Sequence, residues 1–155
     1  MAFGFTDLTP EGKRYFEQLK QLVGLEIRVG YQAGKDSYDD GTELTDVAAY
    51  NEFGASDRPP RPFMKQSFEN HQKELRAAGE QMNANLAHGM SAQQALNRYG
   101  VIVKGLIQQE IVDGGFAPNA PSTIRSKGSE RPLIDTGHMR QSVNYVIEPK
   151  GSGSK

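Results

Sequence analysis

The sequence predicts an α+β fold: a small antiparallel sheet packed with three to four helices, including a long helix pair, plus extended loops or arms. Three observations predict it. Apolar residues recur at helical spacing through Tyr15–Val23 and again through Leu96–Ile111. Two short segments, Leu25–Tyr31 and Ser142–Ile147, instead carry the apolar alternation of strands. Between these elements lie stretches rich in Gly, Pro and Ser, at 54–62 and 114–132, which punctuate rather than extend regular structure.

The elements follow in order. Thr9-Pro10-Glu11 supplies an N-cap, a proline for the first helical position and an acid for the first turn. Gly24 ends that helix. In the strand that follows, Leu25, Ile27, Val29 and Tyr31 share one face. Residues 32–44 are polar, hold Gly34 and Gly41, and predict a loop or irregular hairpin arm. Thr45 is placed to cap a short helix closed by Gly54. Residues 55–62 form a proline elbow, since each residue before a proline is driven to extended backbone. Pro62 is the expected start of a long helix whose stripe is Phe63, Phe68, His71, Leu75, Met82 and Leu86. Gly89 breaks it. Ser91-Ala92-Gln93-Gln94 is a capping box for the partner helix, with Leu96, Tyr99, Val103, Leu106, Ile107 and Ile111 on one side. Gly100 and Gly105 weaken this helix by about 1 kcal/mol each relative to Ala, or admit a close neighbour. Residues 116–132 predict an ordered arm with a turn around Pro121–Arg125. A turn or short helix is expected over Thr136–Arg140, then the second strand, paired with the first.

The 155 residues fit one domain, read as 1–148 with a flexible tail at 149–155. Hydrophobic residues are 36%, against about 45–50% (glycine included) in ordinary domains, so the core is lean and suits completion by a partner subunit. Lys plus Arg total 18 and Asp plus Glu 19, a net charge of −1 that speaks against a dedicated nucleic-acid binder. With no cysteine there is neither a disulfide framework nor a Cys-based zinc site. The start Met-Ala-Phe-Gly-Phe-Thr-Asp lacks the basic and apolar regions of a signal peptide, and no apolar run approaches the ~18 residues of a membrane span. A cytoplasmic site of synthesis is expected.

Chemistry is sparse. The three histidines, His71, His88 and His138, form no metal-binding spacing, and His71 on an apolar helix face reads as a satisfied structural residue. Asp36-Ser37-Tyr38-Asp39-Asp40-Gly41 fails as a calcium loop, with Tyr38 at the third position and Val47 at the twelfth. The acids Asp36, Asp39, Asp40, Glu43 and Asp46 leave a metal-dependent nuclease using the 36–46 loop as a distant alternative to a solvated loop. Arg58-Pro59-Pro60-Arg61-Pro62 contains a Pro-x-x-Pro core. A fixed elbow is favoured over a free polyproline ligand because a helix follows at once. No catalytic residue, metal ligand or cofactor site is assigned. Arg125, Lys127, Arg131 and Arg140 surround the Pro/Gly/Ser arm, placed to touch phosphates or a neighbour's acidic 36–46 loop.

Two segments acquire meaning together. One is Val47-Ala48-Ala49-Tyr50-Asn51-Glu52-Phe53-Gly54 followed by Pro59-Pro60-Arg61-Pro62-Phe63-Met64. The other runs from Pro121-Ser122-Thr123-Ile124 through Lys127-Gly128-Ser129 to Pro132-Leu133-Ile134-Asp135-Thr136-Gly137-His138-Met139-Arg140-Gln141-Ser142-Val143. In order and spacing they resemble the small tail-completion and head–tail joining proteins of long-tailed double-stranded DNA bacteriophages, over residues ~25–148. The acidic 36–46 loop and the tail lie outside the pattern. The resemblance implies a non-enzymatic virion protein of the neck or head-proximal tail end, assembled in the host cytoplasm. It implies a hexameric ring, neighbouring connector and tail-tube or terminator proteins, and a lumen for passing DNA that it does not read. A tail terminator or head-side stopper is the alternative within that family. The expected subunit interface is the elbow, Arg58, Pro59, Pro60, Arg61, Pro62 and Phe63, together with Arg125, Asp135, Thr136, Gly137, Met139 and Arg140 of the arm. Phe63 is expected to anchor apolar packing and Arg58 or Arg61 to meet a neighbour's carboxylates.

Overall fold

A computed structural model describes residues 4–127, 133 and 137–153, and it has the predicted class: α-helices with a two-stranded antiparallel sheet. Helices are more numerous than the three to four expected, because the elbow, the helix break at His71 and the arm divide the chain further. The chain packs as two compact units. Residues 1–28, 73–102 and 145–155 make the first, and 29–72 and 103–144 the second.

The first unit opens with α1 (Pro10–Val23), capped as predicted: Thr9 Oγ1 accepts from the Gly12 N–H at 3.1 Å, and Gly24 closes it. Strand β1 (Leu25–Gly30) follows directly. Helices α4 (Gln72–Ala87) and α5 (Ala92–Asp113) are joined through Gly89, whose φ of 115° suits only glycine. Helix ends leave carbonyls and amides without intrahelical partners. Here α1 supplies them: Arg14 donates to the Leu86 and Gly89 carbonyls, each at 2.9 Å, and Gln18 Oε1 accepts from the Ala92 N–H at 2.8 Å. The Ser91–Gln94 capping box forms in both directions. Beneath this junction Leu86, Ala92 and Ala95 are buried, with Leu19, Leu22 and Met82 packed on them.

Strand β2 (Asn144–Pro149) pairs with β1 but starts two residues later than expected, because Val143 is wholly buried ahead of it. Lys150 and Gly153, read as tail, belong to a turn: the Lys150 N–H reaches the Gly24 carbonyl at 2.9 Å, and Arg28 holds the Gly153 carbonyl at 2.9 Å.

In the second unit, the 36–43 arm is an irregular hairpin with a Ser37–Glu43 bridge. Helix α2 (Leu44–Phe53) begins one residue before Thr45, so Thr45 is not its cap; Glu43 holds that position, and buried Leu44 pulls the start back. The expected long helix from Pro62 is two: α3 (Phe63–Asn70) and α4, parted at His71 with φ −110° and ψ 30°. Gln66, Asn70 and His71 all turn toward Glu110 of α5. Asn70 ends α3 and His71 sits at the break, and both reach the Glu110 carboxylate. Phe68 leaves the predicted stripe and is 40% exposed; Ser67 takes the buried place. Helix α6 (Pro121–Lys127) supplies the turn expected in the arm, and α7 (His138–Gln141) follows Gly137. The core gathers Leu44, Phe63, Ile107, Ile111, Met139 and Val143. No helix among the described residues is long and apolar enough to cross a membrane.

Candidate functional site

The elbow is built around Gly54. Its φ of 76° and ψ of 179° fall where essentially only glycine sits. A side chain there would meet the Pro60 nitrogen at 2.9 Å and the Arg58 carbonyl at 3.2 Å. Ala55 and Arg58 exchange backbone hydrogen bonds at 3.1 and 3.2 Å, so Pro59 and Pro60 fold back over the glycine. The Arg61 N–H then bonds the Asn51 carbonyl. Pro62, with φ −77° and ψ 65°, is the centre of an inverse γ-turn closed from the Phe63 N–H to the Arg61 carbonyl at 2.8 Å. Proline brings no side-chain acceptor to the start of α3. Glu52 fills that role from α2: its carboxylate oxygens accept from the Met64 and Lys65 N–H groups at 2.9 and 3.0 Å. Asn51, Glu52, Gly54, Pro60, Arg61 and Pro62 of the first quoted segment thus each have a mechanical task.

Arg61 ties the elbow to the arm. Its Nε donates to the Ala117 carbonyl at 2.9 Å and its Nη2 to the Pro118 carbonyl at 3.1 Å. Partial burial, and secondarily the neighbouring Arg58 charge, lower its pKa from the ordinary high value. The result is an open cleft of about 930 Å³, lined among others by Tyr38, Tyr50, Arg58, Pro59, Thr123 and Met139. Its walls come from the 36–43 hairpin, α2, the elbow and the arm. Described residues of both quoted segments therefore meet at one surface. Beneath it, the Tyr31 hydroxyl donates to the Met139 carbonyl at 2.9 Å; burial, with Tyr38 and Glu52 nearby, pushes the Tyr31 phenol pKa up. Tyr31 stacks edge-to-face on Phe63, centroids 6.2 Å apart.

These positions sort the expected interface residues. Phe63 is 0% exposed and Met139 is buried, so both belong to the chain's own core and not to a surface offered to a neighbour. Arg61 is half-buried and engaged with its own arm through Nε and Nη2. Pro62 is half-buried in the γ-turn. Gly137 takes a left-handed conformation, φ 78°, ahead of α7. Arg58, Pro59, Pro60, Arg125 and Arg140 are exposed. Arg58 pairs with adjacent Asp57 at 3.3 Å, and that hydrogen bond holds the Asp57 carboxyl below its usual range. Asp135 and Thr136 lie outside the described residues, as do Lys127's side chain and Arg131.

The acidic arm shows no metal-holding arrangement. Asp40 accepts from the Thr42 N–H at 2.9 Å, which lowers its pKa, and Glu43 accepts from the Gly34 N–H at 3.0 Å. Among the described residues no three His, Cys, Asp or Glu side chains are grouped to hold a metal ion.

One cluster escaped sequence reading. Glu110, 4% exposed, accepts from Gln66 Nε2 at 2.7 Å and Asn70 Nδ2 at 2.8 Å, and lies 3.0 Å from His71 Nε2. Gln66 also donates to the Gly114 carbonyl. A buried carboxylate requires such donors. The available signal was a glutamate beside Ile107 and Ile111 on an apolar helix face, opposite a preceding helix carrying His71 on its own stripe. His71 Nε2 has a partner in Glu110, as the reading of a satisfied side chain expected.

Comparison of the chain with protein-family models, curated proteins and solved structures finds no match in any of the three.

Proposed function

We propose that this chain is a structural, ring-forming subunit of the neck or head-proximal tail end of a long-tailed double-stranded DNA bacteriophage, which completes the tail, joins it to the head and leaves a channel for DNA. The reading rests on the resemblance of two sequence segments. The observation that supports it is their meeting: Tyr50, Asn51, Pro59 and Arg61 of the first share a cleft with Thr123, Leu133 and Met139 of the second. The elbow geometry supplies a physical reason for the first segment's pattern, since Glu52, Gly54, Pro60 and Arg61 each hold the joint. A net charge of −1 suits a channel through which DNA slides without sticking. The subunit acts by shape and has no catalytic step. Its partners are further copies of itself, in a six-membered ring, and the connector and tail-tube or terminator proteins above and below.

Image averaging of necks from virions carrying the chain tests this. The expected result is density for the chain at the head–tail junction in six copies. Its absence from purified virions would overturn the reading, and density capping the head-proximal end of the tail tube or on the head side of the junction would reassign it as a terminator or a stopper.

A further inference from the structure

We infer that the cleft face of the second unit docks a second copy of this chain, acidic hairpin and α2 of one copy against the Arg125 and Arg140 surface of the next. The inference deepens the ring reading and rests on it. Residues 36–57 contain no Lys or Arg, and Asp36, Asp39, Asp40, Asp46 and Asp57 are all exposed. This acidic rim frames apolar surface. Asp46, Tyr50 and Phe53 are spaced i, i+4, i+7 and so lie along one face of α2. Tyr50 is 54% exposed and Phe53 80%, with exposed Pro59 and Pro60 beside them in sequence. Large aromatic side chains left bare within a charged rim mark a protein-binding surface more than a solvated one.

The chain carries the complementary charge elsewhere. Residues 114–129 contain no Asp or Glu, and Arg125 is exposed on α6. Arg140 is exposed and lines a different groove, of about 370 Å³, with Gln108 and Val112 of α5. Neither arginine makes an ion pair among the described residues. Each copy therefore offers exposed acids beside bare aromatics on the hairpin and α2, and exposed arginines without an ion pair among the described residues on α6 and α7. Contact between unlike surfaces is head-to-tail, and it closes into a ring when the rotation allows. Opposite charges set the register, while Tyr50 and Phe53 supply the desolvated centre.

Charge reversal tests the pairing, read by native mass spectrometry and sedimentation. D39R/D46R replaces two acids of the hairpin and α2 by bases, and R125E/R140E replaces the two arginines by acids. All four side chains are exposed, and none bears on the cores described above. Each variant alone should self-associate more than about tenfold less tightly than the parent chain at low salt. An equimolar mixture should recover association as alternating, even-numbered oligomers. Variants that associate like the parent, a mixture that stays monomeric, or a parent chain monomeric up to millimolar concentration would each overturn the inference. If a reversal variant fails to fold by circular dichroism, D39N/D46N and R125Q/R140Q replace it, and unchanged association by these also overturns it. The neck imaging is independent: a ring at the head–tail junction built through other surfaces would sink this interface and leave the virion reading standing.

Discussion

Pro62 cannot cap the helix it introduces, so Glu52 does the work from the end of α2. Replacing Glu52 by Ala strands the Met64 and Lys65 amides and should cost about 0.5–2 kcal/mol in chemical denaturation. Glu52→Gln keeps an acceptor and should lose less. Equal stability of E52A and the parent chain would refute the capping role. Gly54→Ala should cost more, about 1–3 kcal/mol for the backbone conformation alone, with the added Cβ 2.9 Å from the Pro60 nitrogen. At this scale the sequence was partly legible. Gly54 is recognisable as a stop because glycine tolerates the required angle. Glu52 is not recognisable as a cap, because the elbow alone brings it to an amide pair ten residues away along the chain or more.

Helices α1 and α5 were legible as elements because their caps are local: Thr9 and Ser91 bond amides within one turn. The break between α3 and α4 was not, and the carboxylate that the residues around it contact, Glu110, lies on another helix. Glu110→Gln turns one acceptor oxygen into a donor group facing Gln66, Asn70 and His71. It should cost about 1–3 kcal/mol, and an unshifted thermal midpoint would show the cluster to be dispensable. The two glycines inside α5 make the sharper case. They carry the same intrinsic penalty in sequence. A Cβ on Gly100 would fall 2.6 Å from the Tyr145 ring and 2.8 Å from Ile27, whereas on Gly105 it would meet nothing within 4 Å. Gly100→Ala should therefore destabilise by about 1–3 kcal/mol through overpacking, and Gly105→Ala should stabilise by up to about 1 kcal/mol. Matched thermal melts of the two variants read the difference, and equal shifts would contradict it.

For the whole molecule, the composition of the units carries the consequence. Each is assembled from separated stretches of chain, and the core of the second unites Leu44 and Phe63 with Ile107, Ile111 and Met139. Fragment 103–155 made alone should show no cooperative melt by circular dichroism, because it carries only part of the second unit's core. A folded, cooperative fragment would show that fewer of these residues suffice. A lean hydrophobic content is consistent with this economy, as few residues serve each core.

The α+β class, the Thr9 and Ser91 caps, the strand pair and the stiffness of the elbow follow from sequence alone, because periodicity, capping and proline geometry act within a few residues. Which residues of the elbow face inward was settled only by tertiary packing. Phe63 and Met139 look like interface residues as letters in a motif, yet packing buries both in their own chain, and Arg61 is tied to its own arm. The same packing leaves Tyr50, Phe53, Arg125 and Arg140 exposed. Burial is a sum over distant neighbours, and local pattern does not contain that sum.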